Sequence, residues 1–283
     1  MAEPLAGNDI MARWRDLRLR SLAAAVLAPV SLLVAWLGGV WFEFAAMLLG
    51  LVMALEWCRM VFRDDRGQIL IHAVSAVLAA PVSLRLGPDF ALALVCLFWA
   101  VSLGRLWSSG DQLSVWRILG IPYVSLPPLS LVVLRADEGL GLTAIVFIFA
   151  VVWAADSAAY FAGRALGGPR LAPSVSPNKT WAGLGGAVLA ATLAGLVVAV
   201  LSGLAWLPMA LLSVLLALSE QAGDLFESAA KRACDIKDTG SLIPGHGGVL
   251  DRVDGLIAAV SIAALLGAWR GGFDQPAAGL LIW

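Results

Sequence analysis

Residues 181–203 of the chain read WAGLGGAVLAATLAGLVVAVLSG and contain no charged side chain. A helix needs about 20 predominantly apolar residues to cross the hydrocarbon core of a bilayer. The stretch meets that requirement and therefore predicts a membrane-spanning helix.

Apolar segments of similar length recur along the whole sequence. The chain is 60% hydrophobic and 14% charged, whereas soluble domains usually carry about 25% charged residues. The mean hydropathy is +0.88. We therefore expect an all-α, polytopic transmembrane protein with about nine spanning helices. The predicted spans are roughly 21–38, 41–61, 69–86, 90–107, 116–134, 140–161, 181–203, 206–226 and 255–270.

Several features qualify this map of the membrane segments. The fifth span contains Pro122, Pro127 and Pro128, so we expect it to be kinked or broken. The first apolar run follows four arginines but is succeeded by many others, which favours a retained helix over a signal peptide. We divide the chain into N-terminal transmembrane helices, 1–140, and a C-terminal transmembrane catalytic region, 141–283.

The basic residues predict the orientation of the chain. With a cytoplasmic N-terminus, only Arg85, Arg135 and Arg270 of the 19 basic residues would face the opposite side. Lysine and arginine concentrate in cytoplasmic loops, so this asymmetry predicts a multi-pass protein of a cell membrane, in bacteria the inner membrane. The net charge of −1 gives no reason to expect a nucleic-acid partner.

Two polar segments, roughly 162–180 and 227–254, lie on the predicted cytoplasmic side. They contain all three lysines of the chain, Lys179, Lys231 and Lys237. A lysine ammonium is a compact charge that suits phosphate, so the segments are candidates for binding a phosphorylated ligand. Chance clustering of lysines on solvated loops is the alternative.

Three aspartates lie where membrane helices are predicted to end or begin. Asp224 is near the end of one span, and Asp251 and Asp254 are near the start of the next. Charges at that depth are costly and usually functional. Carboxylates from two helix ends, together with phosphate oxygens, suit magnesium. Helix capping and interaction with the helix dipole is the alternative for Asp251 and Asp254.

We expect these three aspartates to converge without help from the distant N-terminal half of the chain. Asp238 and Glu227 are second candidates for the metal, and Asp238 can alternatively orient Lys237. The glycine-rich run Pro244–Gly248 can bring backbone amides close to a phosphate. Within it, His246 is a candidate proton carrier, with a structural hydrogen bond as the alternative.

The other polar segment carries a second candidate site. Asp156 is a charge near the end of an apolar helix, which favours a functional role. Residues Ser176, Asn178, Lys179 and Thr180 precede the helix at 181 and form a plausible phosphate clamp. Ordinary N-capping of that helix by a hydroxyl or amide side chain is the alternative.

The order of these residues resembles the signature of the phosphatidate cytidylyltransferase (CDP-diacylglycerol synthase) family. The resemblance covers about 156–255 in detail, and Ala230 stands where the pattern prefers a larger apolar residue. The matching residues are Ser228, Lys231-Arg232, Lys237-Asp238, His246-Gly247-Gly248 and Asp251-Arg252-Val253-Asp254, with Asp156-Ser157 and Ser176-Pro177-x-Lys179-Thr180-Trp181 before them.

The resemblance implies an enzyme that joins CTP and phosphatidic acid to give CDP-diacylglycerol and pyrophosphate, with one or two Mg²⁺ ions as cofactor. Its substrates are polyanions, so metal ions and lysines must neutralise them; a homodimer is left open. The implied metal ligands are Asp224, Asp251 and Asp254. The implied catalytic residues are these three with Lys237, Asp238, His246 and Arg252. The implied substrate-binding residues are Asp156, Ser176, Asn178, Lys179, Thr180, Ser228, Lys231, Arg232, Gly247 and Gly248.

Two other classes of protein fit parts of the pattern. A CDP-alcohol phosphotransferase also uses aspartates at membrane helix ends, but Ala259 stands where its motif requires arginine and no aspartate pair follows. An ion-coupled transporter would have broken helices and polar residues spread near the midplane. Here the polar residues are concentrated in two cytoplasmic segments and the adjoining helix ends.

Overall fold

A computed structural model describes residues 26–63, 65–110, 114–240 and 247–283. Its elements are almost all helical, with one short antiparallel hairpin of strands. The helices are α1 (Val26–Leu37), α2 (Gly39–Val61), α3 (Arg66–Leu86), α4 (Pro88–Ser108), α5 (Val115–Ile118), α6 (Gly120–Ala136), α7 (Gly141–Leu166), α8 (Trp181–Ser202), α9 (Trp206–Ala233), α10 (Leu250–Gly271) and α11 (Pro276–Leu281). The strands are β1 (Arg170–Ala172) and β2 (Ser176–Thr180).

The predicted all-α, polytopic class is confirmed. Within the described residues, seven helices are long and apolar enough to cross a membrane, namely α2, α3, α4, α7, α8, α9 and α10. Helices α1 and α6 are shorter apolar helices. The fifth predicted span is broken, as expected: the single turn α5 ends before Leu119, and α6 begins at Gly120. Pro127 and Pro128 lie inside α6.

Two predicted spans are longer at the polar end than expected. Helix α9 continues to Ala233 rather than ending near 226, and α10 begins at Leu250 rather than near 255. Hydrophobic periodicity underestimates the length of such helices because the turns at their polar end carry charges. As a result Asp224, Glu227 and Asp254 are helical residues with fixed directions.

One end of the helix bundle, here called the far end, contains the three arginines predicted to lie opposite the N-terminus. Arg85 of α3 pairs with Glu43 of α2 at 2.6 Å. Arg135 of α6 donates to the carbonyl of Ala35 at 2.6 Å. Arg270 of α10 donates to a carbonyl of α11. Each of the three arginines therefore has an ion-pair or hydrogen-bond partner at the far end.

The opposite end, here called the site end, is where both polar segments lie. Helices α7 and α8 pack closely through small residues: a Cβ on Gly183 would lie 2.9 Å from the carbonyl oxygen of Ala159. Such contacts let helix backbones approach within a membrane, where apolar surface alone gives little preference for a partner helix. The tight α7–α8 pair holds the β1–β2 hairpin that connects its two helices at the site end.

Helices α9 and α10 also meet at glycines. A Cβ on Gly223 would lie 2.7 Å from the carbonyl oxygen of Asp254 and 2.8 Å from the Ala258 side chain. A Cβ on Gly255 would lie 2.6 Å from the Glu220 side chain. Because these positions lack side chains, the two acidic stretches of α9 and α10 lie directly against each other.

The orientation predicts which side of the membrane the site end faces. In a background with Cys58, Cys96 and Cys234 replaced by alanine, we would introduce Ser174→Cys or Asp238→Cys at exposed site-end positions. A membrane-impermeant maleimide added to intact bacteria is expected to leave both unlabelled, because lysine-rich loops are retained in the cytoplasm. They should react once the membrane is opened.

The matched control is Glu138→Cys, which is exposed at the far end between α6 and α7. It is expected to react from outside in intact cells. Labelling of position 174 or 238 from outside, with position 138 protected, would contradict the orientation.

Candidate functional site

Five carboxylates from three helices gather at the site end and are called the acidic cluster here. Helix α9 contributes Glu220, Asp224 and Glu227, which share a face at helical spacing. Helix α10 contributes Asp254, which interacts electrostatically with Asp224 and Glu227. Helix α7 contributes Asp156, which interacts with Asp224. Of the three aspartates predicted to converge, Asp224 and Asp254 meet in this cluster, and Asp156 joins them. Asp251, the third, has different partners.

Two lysines from different segments pair with this cluster. Lys179 of β2 lies 2.6 Å from Asp224 and donates to the amide oxygen of Gln221 at 3.2 Å. Lys231 of α9 lies 3.1 Å from Glu227 and 2.7 Å from Asp251. Both predicted phosphate-binding lysines are thus neutralised by carboxylates in this structure.

Carboxyl groups outnumber basic groups at this place. The carboxylates are the acidic cluster and Asp251, and the cations described near them are Lys179, Lys231 and Arg252. An excess of partly buried carboxylates fits a divalent cation with oxygen ligands. The described residues contain no ready group of three or more His, Cys, Asp or Glu that can hold a metal ion. Magnesium usually completes its shell with water and substrate phosphates, so the donor set is compatible with it, and the metal assignment stays a prediction.

Asp251 is engaged in a different way from Asp254. Its Oδ2 accepts the backbone N–H of Thr239 at 2.9 Å, the Thr239 hydroxyl at 2.9 Å and the backbone N–H of Gly248 at 2.8 Å. Its Oδ1 accepts from Lys231. Asp251 therefore holds Thr239 and Gly248 against the start of α10, and it is connected to the acidic cluster through Lys231 and Glu227.

The N-terminal half of the chain takes part in the site, so the expectation that the aspartates converge without it is wrong. Glu56 of α2 accepts the backbone N–H groups of Val249 and Leu250 at 2.9 and 2.8 Å. Tyr123 of α6 donates to Glu227 at 3.4 Å. A glutamate inside the apolar span 41–61 was the available signal, since a charge within a spanning helix is usually functional.

The hairpin residues have divided roles. Thr180 is buried, and its hydroxyl accepts the N–H of Gly183 at 3.0 Å, so the N-capping alternative is confirmed for this residue. Asn178 is exposed and Ser176 half-buried. Of the four clamp residues, Lys179 makes the ion pair that connects the hairpin to the acidic cluster.

The remaining predicted residues lie around the end of α9. Ser228 donates to Asp224 at 3.3 Å. Gly247 has a φ of 78°, a conformation that favours glycine, and a Cβ there would lie 2.8 Å from Asp251. His246 lies outside the described residues. Among these remaining residues, Arg232, Lys237, Asp238 and Arg252 are exposed.

An apolar cavity of about 410 Å³ lies between α6, α9 and α10. Its lining includes Leu119 at the break before α6, Gly223 and Phe226 of α9, and Ile257 of α10. Tyr123 also lines the cavity, and the same side chain donates to Glu227 of the acidic cluster. A charged site and an apolar cavity thus share one wall, which suits a ligand with a charged head and an apolar tail.

Comparison with known proteins extends the resemblance over nearly the whole chain. The profile described as "Cytidylyltransferase family" matches residues 18–269. A phosphatidate cytidylyltransferase of Brucella suis biovar 1 (strain 1330) is 42% identical over 267 residues, covering 93% of this chain and 97% of that protein. A phosphatidate cytidylyltransferase of Pseudomonas aeruginosa is 35% identical over 283 residues, covering 92% of this chain and 100% of that protein. The similarity therefore includes the N-terminal helices that carry Glu56 and Tyr123.

The Lys231 contacts predict a large effect on stability. Lys231→Met leaves Glu227, which is 0% exposed, and Asp251, which is 7% exposed, without their shared cation. Removing one partner of a buried ion pair typically costs about 3–5 kcal/mol. We expect a clearly lower melting temperature for the purified protein in detergent.

Arg232→Met is the matched control, because Arg232 is the next residue of α9 and is exposed. It should melt close to the wild type. Adding Glu227→Gln to Lys231→Met should recover part of the loss by removing one buried charge. Equal melting temperatures for the two single variants would contradict the structural role of Lys231.

Proposed function

Because the chain belongs to the cytidylyltransferase family, we propose that it transfers the cytidylyl group of CTP to phosphatidic acid, giving CDP-diacylglycerol and pyrophosphate. The observation that carries this proposal is the shared wall between the acidic cluster with its lysines and the apolar cavity. A nucleoside triphosphate needs charged groups such as the lysines and the acidic cluster, and the acyl part of a membrane lipid needs an apolar surface such as the cavity.

The reaction requires positioning and charge stabilisation rather than a strong base. An oxygen of the lipid phosphate attacks the α-phosphorus of CTP, forming a new P–O bond. The bond between that phosphorus and the bridging oxygen to the β-phosphate breaks, and pyrophosphate leaves with the electron pair. The attacking phosphate is already anionic at neutral pH. Catalysis then depends on holding two anions in line and on stabilising the charge that develops.

The lysines are suited to bind the phosphates. Lys179 enters the site from the hairpin and Lys231 from α9, so together they flank the acidic cluster. Each is held by carboxylates before substrate arrives, which keeps the ammonium groups at the site end. When a phosphate approaches, Lys179 would exchange its carboxylate partner, Asp224, for a phosphate oxygen. Hydrogen bonds between charged groups of this kind are stronger than those between neutral groups.

Asp224 and Asp254 are the residues that would hold magnesium, with Asp251 as the third predicted ligand. When bound, the ion would supply neutralisation of the triphosphate charge and a fixed geometry for the displacement. The carboxylates that remain, Glu220 and Glu227, would keep the surrounding charge negative. The proposed ion would offset this excess of carboxylates, and a site that binds polyanions can therefore contain many acids.

The lipid substrate fits the position of the cavity. The cavity is lined by helices with spanning character, and Tyr123 marks its boundary with the charged residues. The acyl chain would lie along α6, α9 and α10, and the lipid phosphate would lie toward the site end. The cytoplasmic face of a bacterial inner membrane is the proposed location, because CTP is a cytoplasmic metabolite and the basic residues favour that side.

Lys179→Ala is expected to weaken use of a phosphate-bearing substrate. Loss of one charge-assisted hydrogen bond typically costs about 1.5–3 kcal/mol, which should appear as a lower kcat/KM for CTP or phosphatidic acid. The assay is incorporation of radiolabelled CTP into lipid by the purified protein. Arg164→Ala is the control, since Arg164 is an exposed cation at the same end that contacts Tyr160. Normal kinetics for both substrates in Lys179→Ala would show that this lysine is only a structural partner of Asp224.

Asp254→Asn and Asp251→Asn are each expected to lower turnover by orders of magnitude, because loss of a metal ligand disturbs both the ion and the groups it holds. Partial recovery at higher magnesium would indicate weakened affinity for the ion. Their melting temperatures should differ. Asp254→Asn relieves repulsion from Asp224 and Glu227, whereas Asp251→Asn weakens contacts to Lys231, Thr239 and Gly248.

Near-normal turnover of both variants at ordinary magnesium would contradict the metal assignment. In that case these carboxylates would serve the structure of α10 alone. A low melting temperature with normal turnover per folded molecule in Asp251→Asn would assign that residue to the loop rather than to the metal.

A further inference from the structure

Helix α10 begins without a cap from its own neighbourhood. Its N-cap residue is Val249, which has no side chain able to accept a hydrogen bond from the first helical amides. The first N–H groups of a helix lack partners within the helix and need acceptors from elsewhere. The acceptors come from Glu56 of α2, whose two oxygens accept the N–H groups of Val249 and Leu250 at 2.9 and 2.8 Å.

The segment before α10 is shaped to admit this carboxylate. A Cβ on Gly240 would lie 2.9 Å from Glu56 Oε1, and a Cβ on Gly248 would lie 2.6 Å from Glu56 Oε2. Both glycines therefore leave space that the Glu56 carboxylate fills. The Glu56 side chain is only 2% exposed and is therefore buried.

The Glu56 carboxylate is connected to the acidic cluster by polar contacts. The Thr239 hydroxyl lies 3.4 Å from Glu56 and donates to Asp251 at 2.9 Å. Asp251 accepts from Lys231 at 2.7 Å, and Lys231 donates to Glu227 at 3.1 Å. Glu56 is therefore connected to Asp251 through Thr239 and to Asp254 through the first turn of α10.

We propose that Glu56 is a positioning residue: its carboxylate caps α10 from the N-terminal half of the chain and thereby sets where Asp251 and Asp254 stand in the site. The hydrogen-bond donors described for it are protein groups, namely the N–H groups of Val249 and Leu250 and the Thr239 hydroxyl. A negative charge at a helix N-terminus is favourable. The two hydrogen bonds from Val249 and Leu250 are buried, and they fix the orientation of the Glu56 carboxylate relative to the start of α10. The consequence for catalysis rests on the proposed function, whereas the capping itself does not.

The test is Glu56→Gln, which keeps the shape but replaces one acceptor oxygen with an NH₂ group. One of the two amides at the start of α10 then faces a donor. Residues that orient metal ligands typically affect metal affinity or activity by about 10- to 100-fold when replaced. We expect kcat/KM to fall in that range, the magnesium concentration for half-maximal activity to rise, and Glu56→Asp to lie closer to the wild type.

Glu43→Gln is the matched control, because Glu43 lies on the same helix, is also buried and pairs with Arg85 at the far end. It is expected to lower stability without changing the magnesium requirement or the activity per folded molecule. A purely structural Glu56 would behave like Glu43.

Hydrogen exchange gives a readout that does not require activity. A peptide containing residues 249–253 should exchange faster in Glu56→Gln than in the wild type, while Glu43→Gln leaves it unchanged. Unchanged exchange of that peptide, or unchanged magnesium requirement and kcat/KM in Glu56→Gln, overturns the inference. If the wild type fails to incorporate CTP into lipid, the proposed function fails, and exchange alone then decides whether Glu56 caps α10.

Discussion

A carboxylate buried among membrane helices must find hydrogen-bond donors within the protein, and the site depends on how Glu56 meets this requirement. Its carboxylate accepts the N–H groups at the start of α10, which lack partners within their own helix. Their pairing fixes the end of α10 against α2. Gly240 leaves space that the carboxylate occupies, and Gly248 leaves space that the carboxylate shares with the Thr239 hydroxyl.

The acidic cluster shows a second constraint, the repulsion between like charges in a place of low polarity. Helices α9 and α10 are brought together at Gly223 and Gly255, although their facing turns carry carboxylates. Lys179 and Lys231 offset part of the repulsion. Lys179 reaches Asp224 of α9 from strand β2, and Lys231 of α9 pairs with Asp251 of α10. The proposed magnesium ion would offset the repulsion that remains, so the close packing of α9 on α10 is compatible with the proposed metal site.

The site also lies at a boundary between two environments. Tyr123 contacts the acidic cluster with its hydroxyl and lines the apolar cavity with its ring. The break at Leu119 lies at the cavity edge, where α6 starts near the site end and leaves room beside α9 and α10. A lipid with a phosphate head has the same division along its length. The shared wall therefore suits both parts of the proposed lipid substrate.

The sequence by itself determined the helical membrane class, the positions of the spans to within a turn or two, and the two polar segments for which a site is proposed. These follow from local properties: runs of apolar residues near 181–203, charges such as Asp224 at span ends, and lysines confined to two segments. Only the tertiary structure decided that Thr180 caps α8, that Asp251 holds a loop while Asp254 joins the acidic cluster, and that Glu56 caps α10. A residue's partner across 190 or so positions depends on which helices pack together. Apolar membrane helices carry little pattern that specifies their neighbours, because lipid and helix surfaces are equally apolar.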